Sequence, residues 1–353
     1  LRDAGSGVFE LAPAGADGQD LGNAPKEMEW MKRLSATIQR PVTFALLQNE
    51  TEPSLWKQLL EESLEATEQG SQCFPQVAGR PFGLLIGLQT HHAFAKRPTF
   101  ITIAHLPHNE LVEQLKQSST RNAILTETDT DPDPKILFDG MSRMIQSMLH
   151  RLYPMGEIPD YEPDPTKSFV SIAETKNTTP EAVLYDYMLE NDGYAMGMMP
   201  IFNYVDGNHD VIREMLLHPQ AVSGLSDGGA HCGMICDASI PTFMLSHWTR
   251  DRTRGKKLPL EWIIKKQTND TASLYGLNDR GTLQVGKRAD INVIDYNALT
   301  LHGPKMAHDL PAGGRRLLQE ATGYDYTIVA GTITRQFGQD TGQRPGRLIR
   351  GAR

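Results

Sequence analysis

Apolar runs alternate with helix-length amphipathic stretches from the start of the chain. The run GVFELA reads as a short strand, and Lys26 to Gln39 sets Met28, Met31, Leu34 and Ile38 on one helical face. Pro41 breaks that pattern ahead of VTFALL, a continuous apolar run of the kind buried on both faces of a sheet. PSLWKQLLEESLEATEQG follows as a helix, with Pro53 near its start and Gly70 just past its end. Strand, helix, strand, helix predicts a parallel sheet with helical crossovers. The alternation continues less cleanly through FGLLIGL, a helix near Asn109 to Gln117, and the apolar run AILTET.

Between about residues 128 and 165 the pattern changes. DTDPDPK and PDYEPDPTK bracket the helical MSRMIQSMLHRLY, and prolines at that density forbid a central strand. This segment reads as a solvated insertion on the rim of the core, since its acidic residues lack the EF-hand pattern of a calcium loop. Thr179-Pro180-Glu181 opens a capped helix, and DGNHDVIREMLLHP is another. AVSGLSDGG is a strand running into a sharp turn. LPLEWIIKKQTNDTASLYGL is helical until Gly276. RGTLQVGKRADINVIDY then reads as two short strands, and YTIVAGTITRQF as a hairpin turning at Ala330-Gly331. Two parts are expected: residues 1–276, α/β, with the insertion at 128–165, and a small β module with a tail at 277–353. No repeat of solenoid period is present.

Composition narrows the partners. At 353 residues the chain can bury a large core, and its formal charge of −8 disfavours nucleic acid and anionic membranes. No apolar run is long enough to span a bilayer. Three cysteines make no disulfide framework, so a reducing, cytoplasmic setting is expected. The chain opens LRDAGSGVFELAPAG without Met, and an N-terminal truncation is expected.

The stretch LSDGGAHCGMICD gathers the candidate chemistry. Asp227 falls at the carboxyl end of a strand, where α/β proteins place active sites, and there an acid can bind metal or carry a proton. A plain Asp-Gly turn is the alternative. Cys232 and Cys236 lack the spacing of a structural zinc site and read as packing residues. His231 follows the turn closely enough to face the same cleft, as a substrate contact or a structural residue. His92, after GLLIGLQT, falls at another strand end, and with His91 beside it only one of the pair can face a given site. His105 and His108 sit near a helix start and read as satisfied surface or core residues, and His247-Trp248 falls on a helix, where packing is the expected role. Phosphate loops, serine nucleophile elbows and HExxH helices are absent.

SDGG after a strand, LPLEWIIKKQTNDTASLYGL, DRGTLQVGKRADINVID and IVAGTITRQFGQDTGQRPGRLIRG together resemble the C-terminal half of the amidohydrolase superfamily. The branch most similar is the N-acyl-D-amino-acid deacylase, or D-aminoacylase-like, group. The resemblance is strongest from about residue 221 onward. It implies the C-terminal part of a metal-dependent (β/α)8 TIM-like barrel with a small β-sandwich. It also implies hydrolysis of a non-peptide C–N bond by metal-activated water. Asp227 would help hold the metal and act as general base and proton shuttle, and His231 and His92 would contact substrate. One or two zinc ions are implied, with most ligands in the missing N-terminal part. The partner is a small-molecule amide, and a homo-oligomer is compatible with the resemblance.

Where the family carries a metal-binding histidine near a strand end, this chain reads Leu46-Leu47-Gln48, and leucine binds no metal. Three readings therefore stand: an N-acyl-D-amino-acid deacylase, a cyclic amidase of the same superfamily, and a non-catalytic barrel used for ligand binding.

Overall fold

Four parallel strands form the first sheet, built from residues far apart in the chain. They are β1 (Phe9–Leu11), β2 (Val42–Ala45), β3 (Cys73–Val77) and, much later, β7 (Val222–Ser223), hydrogen-bonded in the order β1-β2-β3-β7. The computed structural model describes residues 1–3, 5–14, 23–136, 138–229 and 231–349. Helices α1 (Ala24–Ile38) and α2 (Leu55–Glu68) make the first two crossovers. The face of α1 expected from spacing is largely the one that packs: Met28 and Met31 are fully buried, with Leu34 at the margin. Val42, Thr43 and Phe44 of β2 are all fully buried, as a strand covered on both faces requires.

β3 escaped the hydrophobic pattern because Pro75 and Gln76 interrupt it. Gln76 is nonetheless buried, its amide donating to Glu10 Oε1 at 2.9 Å. On the neighbouring strand connection Gly224 leaves room for this side chain: a Cβ there would stand 2.4 Å from Gln76 Oε1. Among the described residues the parallel strands form one open sheet of four, not a closed ring.

The middle of the chain departs from the expected alternation. FGLLIGL does supply a strand, β4 (Gly83–Ile86), but it pairs antiparallel with β6 (Gly197–Pro200), which also takes β5 (Tyr153–Pro154). AILTET lies mostly in a helix, Ser118–Thr126, rather than a strand. A short apolar run fits either element by periodicity alone, and here one buried residue, Ile124, suffices to seat the helix. A second core forms around this sheet from Leu84, Ile86, Phe94, Phe169, Leu184 and Met199.

The chain closes in antiparallel β structure. Strand β8 (Ile291–Ile294) is followed by β9 (Thr300–Leu301), β10 (Lys305–Leu310), β11 (Gly314–Leu318) and β12 (Ala321–Thr322). The last three are β13 (Tyr324–Val329), β14 (Thr332–Gln336) and β15 (Gln339–Asp340), ordered β15-β14-β13-β8. The hairpin turns at Ala330 and Gly331, both left-handed (φ 51° and 79°), as a tight turn of that hand requires. The first strand expected in this module does not form: Leu283 and Val285 are exposed on a turn. Among the described residues no helix is long and apolar enough to cross a membrane.

Candidate metal centre

Loops beyond the carboxyl ends of β2 and β3 collect the polar residues that the sheet interior cannot hold. Gln48, three residues past the end of β2, is buried; its backbone N–H donates to Asn203 Oδ1 at 2.7 Å, and its carbonyl accepts from Asn203 N–H at 3.0 Å. Its side chain donates to Asp206 Oδ2 at 3.1 Å. These bonds tie down the loop that ends at His209, just before the helix Asp210–Leu217. Past β3, Gly79 accepts a 2.7 Å hydrogen bond from the indole of the fully buried Trp248. That bond fixes His247–Asp251, a five-residue π-helical turn, a backbone form found often at functional sites. The Arg80 guanidinium lies 3.7 Å from the centre of the Tyr161 ring and so seats the segment that carries Glu162.

The result is a cluster that no spacing announces. Glu162, His209 and His247 lie 47 and 85 residues apart, yet one donor atom from each falls within 4.8 Å of the others. His247 Nε2 is 3.0 Å from Glu162 Oε2, and His209 Nδ1 is 3.7 Å from the same oxygen. His209 is wholly buried and Glu162 nearly so.

The tautomer of His209 follows from its partners. Nε2 sits 2.8 Å from the Tyr161 carbonyl oxygen, which can only accept, so Nε2 carries the proton. Burial pushes the pKa of His209 down to about 3, despite the nearby carboxylate. The ring is therefore neutral near pH 7, and Nδ1 presents a bare lone pair. That atom has no hydrogen-bond partner among the described residues, and it faces a carboxylate oxygen. The oxygen has Arg252 and His247 as partners, so the unsatisfied atom is Nδ1, a buried lone pair that a metal ion or a donor can take.

Glu162 is held ionised. Burial raises its pKa, but hydrogen bonds from His247 and Arg252 outweigh that and keep it well below the usual carboxylate range. Arg252, itself buried, donates from Nε to Oε2 at 3.0 Å and from Nη2 to Oε1 at 2.8 Å. Its other contacts are Asp210 Oδ1 at 2.9 Å and the Trp248 ring at 4.7 Å. Glu162 and His247 face a cleft of about 530 Å³ that also borders Asp160, Asp164, Lys167 and Arg254. Two imidazoles and a carboxylate, of which Glu162 and His247 border the cleft and His209 lies buried behind them, are residue types that suit a divalent ion.

These residues revise the sequence reading at two points. The proline-rich segment is not solvated throughout, since it buries Glu162 at 3 % exposure. His247 does pack, its ring stacked on Phe243 at 4.4 Å, but the same ring also reaches the carboxylate. The only local signal was Tyr161-Glu162 set between prolines.

The residues singled out from sequence lie elsewhere. Asp227 is exposed, past the end of β7, with no hydrogen bond or ion pair among the described residues. Leu225, Asp227 and His231 all take left-handed conformations (φ 60°, 44° and 47°), unusual for residues with side chains and strained for leucine. The turn thus holds Asp227 in a set direction, near enough to the buried Asp237 to contribute to its raised pKa, which burial dominates. His231 is exposed on the same turn, its ring edge-on to Phe138 at 6.4 Å. His92 does not reach the cleft. It is buried against Phe100 at 4.5 Å, its Nδ1 accepts from Phe94 N–H at 3.2 Å, and burial lowers its pKa to about 3. Leu46 is fully buried in the core, which accounts for a leucine at that strand end. Cys73 and Cys236 are buried packing residues, and burial raises both thiols to about 11, which disfavours the thiolate a metal needs.

Residues 1–335 match the family model described as Amidohydrolase family. No curated protein sequence matches the chain. Among solved structures, the chain is similar to a D-aminoacylase studied for its binuclear metal centre, with one-metal activation and second-metal attenuation. The TM-score is 0.53 at 17 % identity, covering 100 % of this chain and 57 % of that one. A second D-aminoacylase structure, described as defining a novel subset of amidohydrolases, gives 0.51 at 17 % identity, covering 98 % and 56 %. The chain therefore spans just over half the length of the solved structures it matches, and at this identity the likeness is one of fold.

Proposed function

Because the chain belongs to the amidohydrolase family, we propose that it hydrolyses a non-peptide C–N bond with a divalent ion held by Glu162, His209 and His247. The observation that carries the proposal is the bare Nδ1 of His209, buried and aimed at the Glu162 carboxylate. The substrate proposed is an N-acyl-D-amino acid, a reading supported by the likeness in fold to D-aminoacylases. Zinc is the ion proposed, since it accepts two imidazoles and a carboxylate with a coordination position left open. When bound, such an ion supplies Lewis acidity for the amide carbonyl and makes water a better nucleophile at neutral pH.

The chain's own residues do the rest. The Tyr161 carbonyl fixes the His209 tautomer, and Arg252 keeps Glu162 ionised and correctly turned. Asp227, although it does not border the cleft that Glu162 and His247 face, is proposed as general base from the family resemblance: it takes a proton from the attacking water and returns it to the leaving nitrogen. The C–N bond breaks as the new C–O bond forms, releasing a carboxylic acid and an amine. His231, on the turn that presents Asp227, is proposed to contact the substrate. The barrel reading belongs to this proposal as well. The parallel strands and their helical crossovers support it, as does the gathering of polar residues at the carboxyl ends. A boundary near residue 276 and a cytoplasmic setting are also proposed. The first is supported by the start of antiparallel strands at Ile291, the second by three free cysteines.

One observation favours a second reading. Arg252 already grips both oxygens of Glu162, so the cluster also suits a buried ion pair in a non-catalytic, ligand-binding relative. Turnover of N-acyl-D-amino acids by the intact protein, abolished by a chelator and restored by zinc, supports the enzyme. Turnover that survives exhaustive chelation rules the metal out.

A further inference from the structure

Tyr161 is tied to every member of the metal cluster, each time by a different part of the residue. Its carbonyl accepts from His209 Nε2 at 2.8 Å, and the next residue along the chain is Glu162 itself. Its ring meets Phe243 edge-on, centroids 5.5 Å apart, and Phe243 in turn stacks on the His247 ring at 4.4 Å. The Arg80 guanidinium lies against the Tyr161 ring at 3.7 Å. Ring contacts of these kinds tolerate a range of positions, whereas a hydrogen bond at the tip of the ring is directional. The hydroxyl of Tyr161 therefore decides how sharply the whole residue is placed, and the side chain that carries it is only 4 % exposed.

The partner of that hydroxyl comes from the closing strands, 158 residues away. Tyr161 Oη donates to Gln319 Oε1 at 3.0 Å, and Gln319 sits between β11 and β12. The amide can be turned only one way. Its Nε2 stands 2.7 Å from the His302 carbonyl, which only accepts, so Oε1 must face the hydroxyl. The Ser239 hydroxyl lies 2.5 Å from the same Oε1, and Ser239 Oγ accepts from Arg80 Nη2 at 3.0 Å. One side chain thus holds the tip of Tyr161 and, through Ser239, the guanidinium that lies against its ring.

We infer that Gln319 is a positioning residue for the metal centre: its bond to the Tyr161 hydroxyl fixes where the Tyr161 carbonyl and the Phe243 ring stand, and through them how His209 and His247 present their nitrogens. This inference rests on the proposed reading of Glu162, His209 and His247 as metal ligands. Ligands that are already ordered need not be ordered when an ion binds, so loss of the tie lowers metal affinity even where the fold survives.

Cobalt(II) titration of the intact, metal-free protein tests it, with the visible absorption of the bound ion as one readout and competition with a chelator as the measure of affinity. Tyr161→Phe removes the hydroxyl alone, and Gln319→Leu removes its acceptor. Each is expected to weaken cobalt binding about tenfold or more and to shift the absorption bands. The double variant should bind no more weakly than either single one, because both changes break the same bond. Arg315→Gln is the control. Arg315, on β11, ties the closing strands to the Gln89 carbonyl at 2.9 Å and makes no hydrogen bond to Tyr161 or the cluster among the described residues. Its loss should leave cobalt affinity within about twofold. Wild-type affinity and bands in either folded single variant overturn the inference, as do additive losses in the double variant. An Arg315→Gln loss as large as that of Gln319→Leu also overturns it, by tracing the effect to the docking of the strands as a whole. Wild-type protein that takes up no cobalt overturns instead the metal reading on which the inference stands.

Discussion

The Nδ1 lone pair of His209 stands 3.7 Å from Oε2 of Glu162, with no hydrogen-bond partner of its own and both side chains out of water. Arg252 and His247 already satisfy that oxygen, so the group left open is the His209 lone pair, which a metal ion or a hydrogen-bond donor can take. A proton is disfavoured, because burial lowers the histidine's pKa to about 3. His209→Ala is therefore expected to abolish divalent metal binding in the intact protein, read by elemental analysis after gel filtration. Retention of a full equivalent of metal by the variant would show that the ion sits elsewhere.

Arg252 links the cluster to the core. Replacing it with methionine leaves Glu162 buried without its bidentate partner, while His247 and the His209 backbone N–H remain. A loss of about 3–5 kcal/mol in unfolding free energy is expected, measured by chemical denaturation. A loss below about 1 kcal/mol would mean that the pair contributes little to folding.

Asp227 should behave in the opposite way. It is exposed and makes no hydrogen bond among the described residues, so Asp227→Asn should shift stability by less than about 0.5 kcal/mol. If it carries the proton, kcat should fall by about a hundredfold or more while metal content holds. Unchanged kcat would remove it from the mechanism.

Acid should weaken the fold well before carboxylates titrate. His92 and His209 stay neutral down to about 3 when folded, because burial opposes their charge, whereas an unfolded histidine titrates near 6.5. Between those values the unfolded state binds more protons, so stability is lost as pH falls from about 6.5, by a few kcal/mol by pH 4.5. Glu162, with its folded pKa depressed, adds a further loss once pH drops below the ordinary carboxylate range. Thermal melts from pH 7.5 to 4.5 check this, and a melting temperature that stays flat across that span contradicts it.

Gly224 tests how the strand end that leads to Asp227 is packed. A Cβ there meets Gln76 Oε1 at 2.4 Å, and Gln76 is buried and tied to Glu10. Gly224→Ala is expected to cost about 1–3 kcal/mol by denaturation, an overpacking penalty that a neutral result would exclude.

Much of the framework is legible in the sequence. The face of α1, the helix α2, the apolar run at β2 and the Ala330-Gly331 hairpin all follow from local pattern. The metal cluster is not legible, for a physical reason. Its three residues come from a proline-rich loop, a helix start and a π-helical turn, and only tethers such as Gln48 to Asn203 and Trp248 to Gly79 bring them together. β3 was hidden because its polar Gln76 is compensated by Glu10 across the sheet, a partner distant in sequence. Asp227 was visible because a strand end followed by Gly-Gly is a local signal, whereas Glu162 in its run of acids looked like a solvated loop.

Metal content of the intact, chelator-free protein is the measurement closest to the central claim, taken on the wild type and on a Glu162→Gln/His209→Ala/His247→Ala variant confirmed as folded by circular dichroism. At least one divalent ion per chain in the wild type, reduced by a full equivalent in the variant, is the predicted result. Metal that survives loss of all three side chains, or wild-type protein that hydrolyses its substrate with none bound, would contradict it.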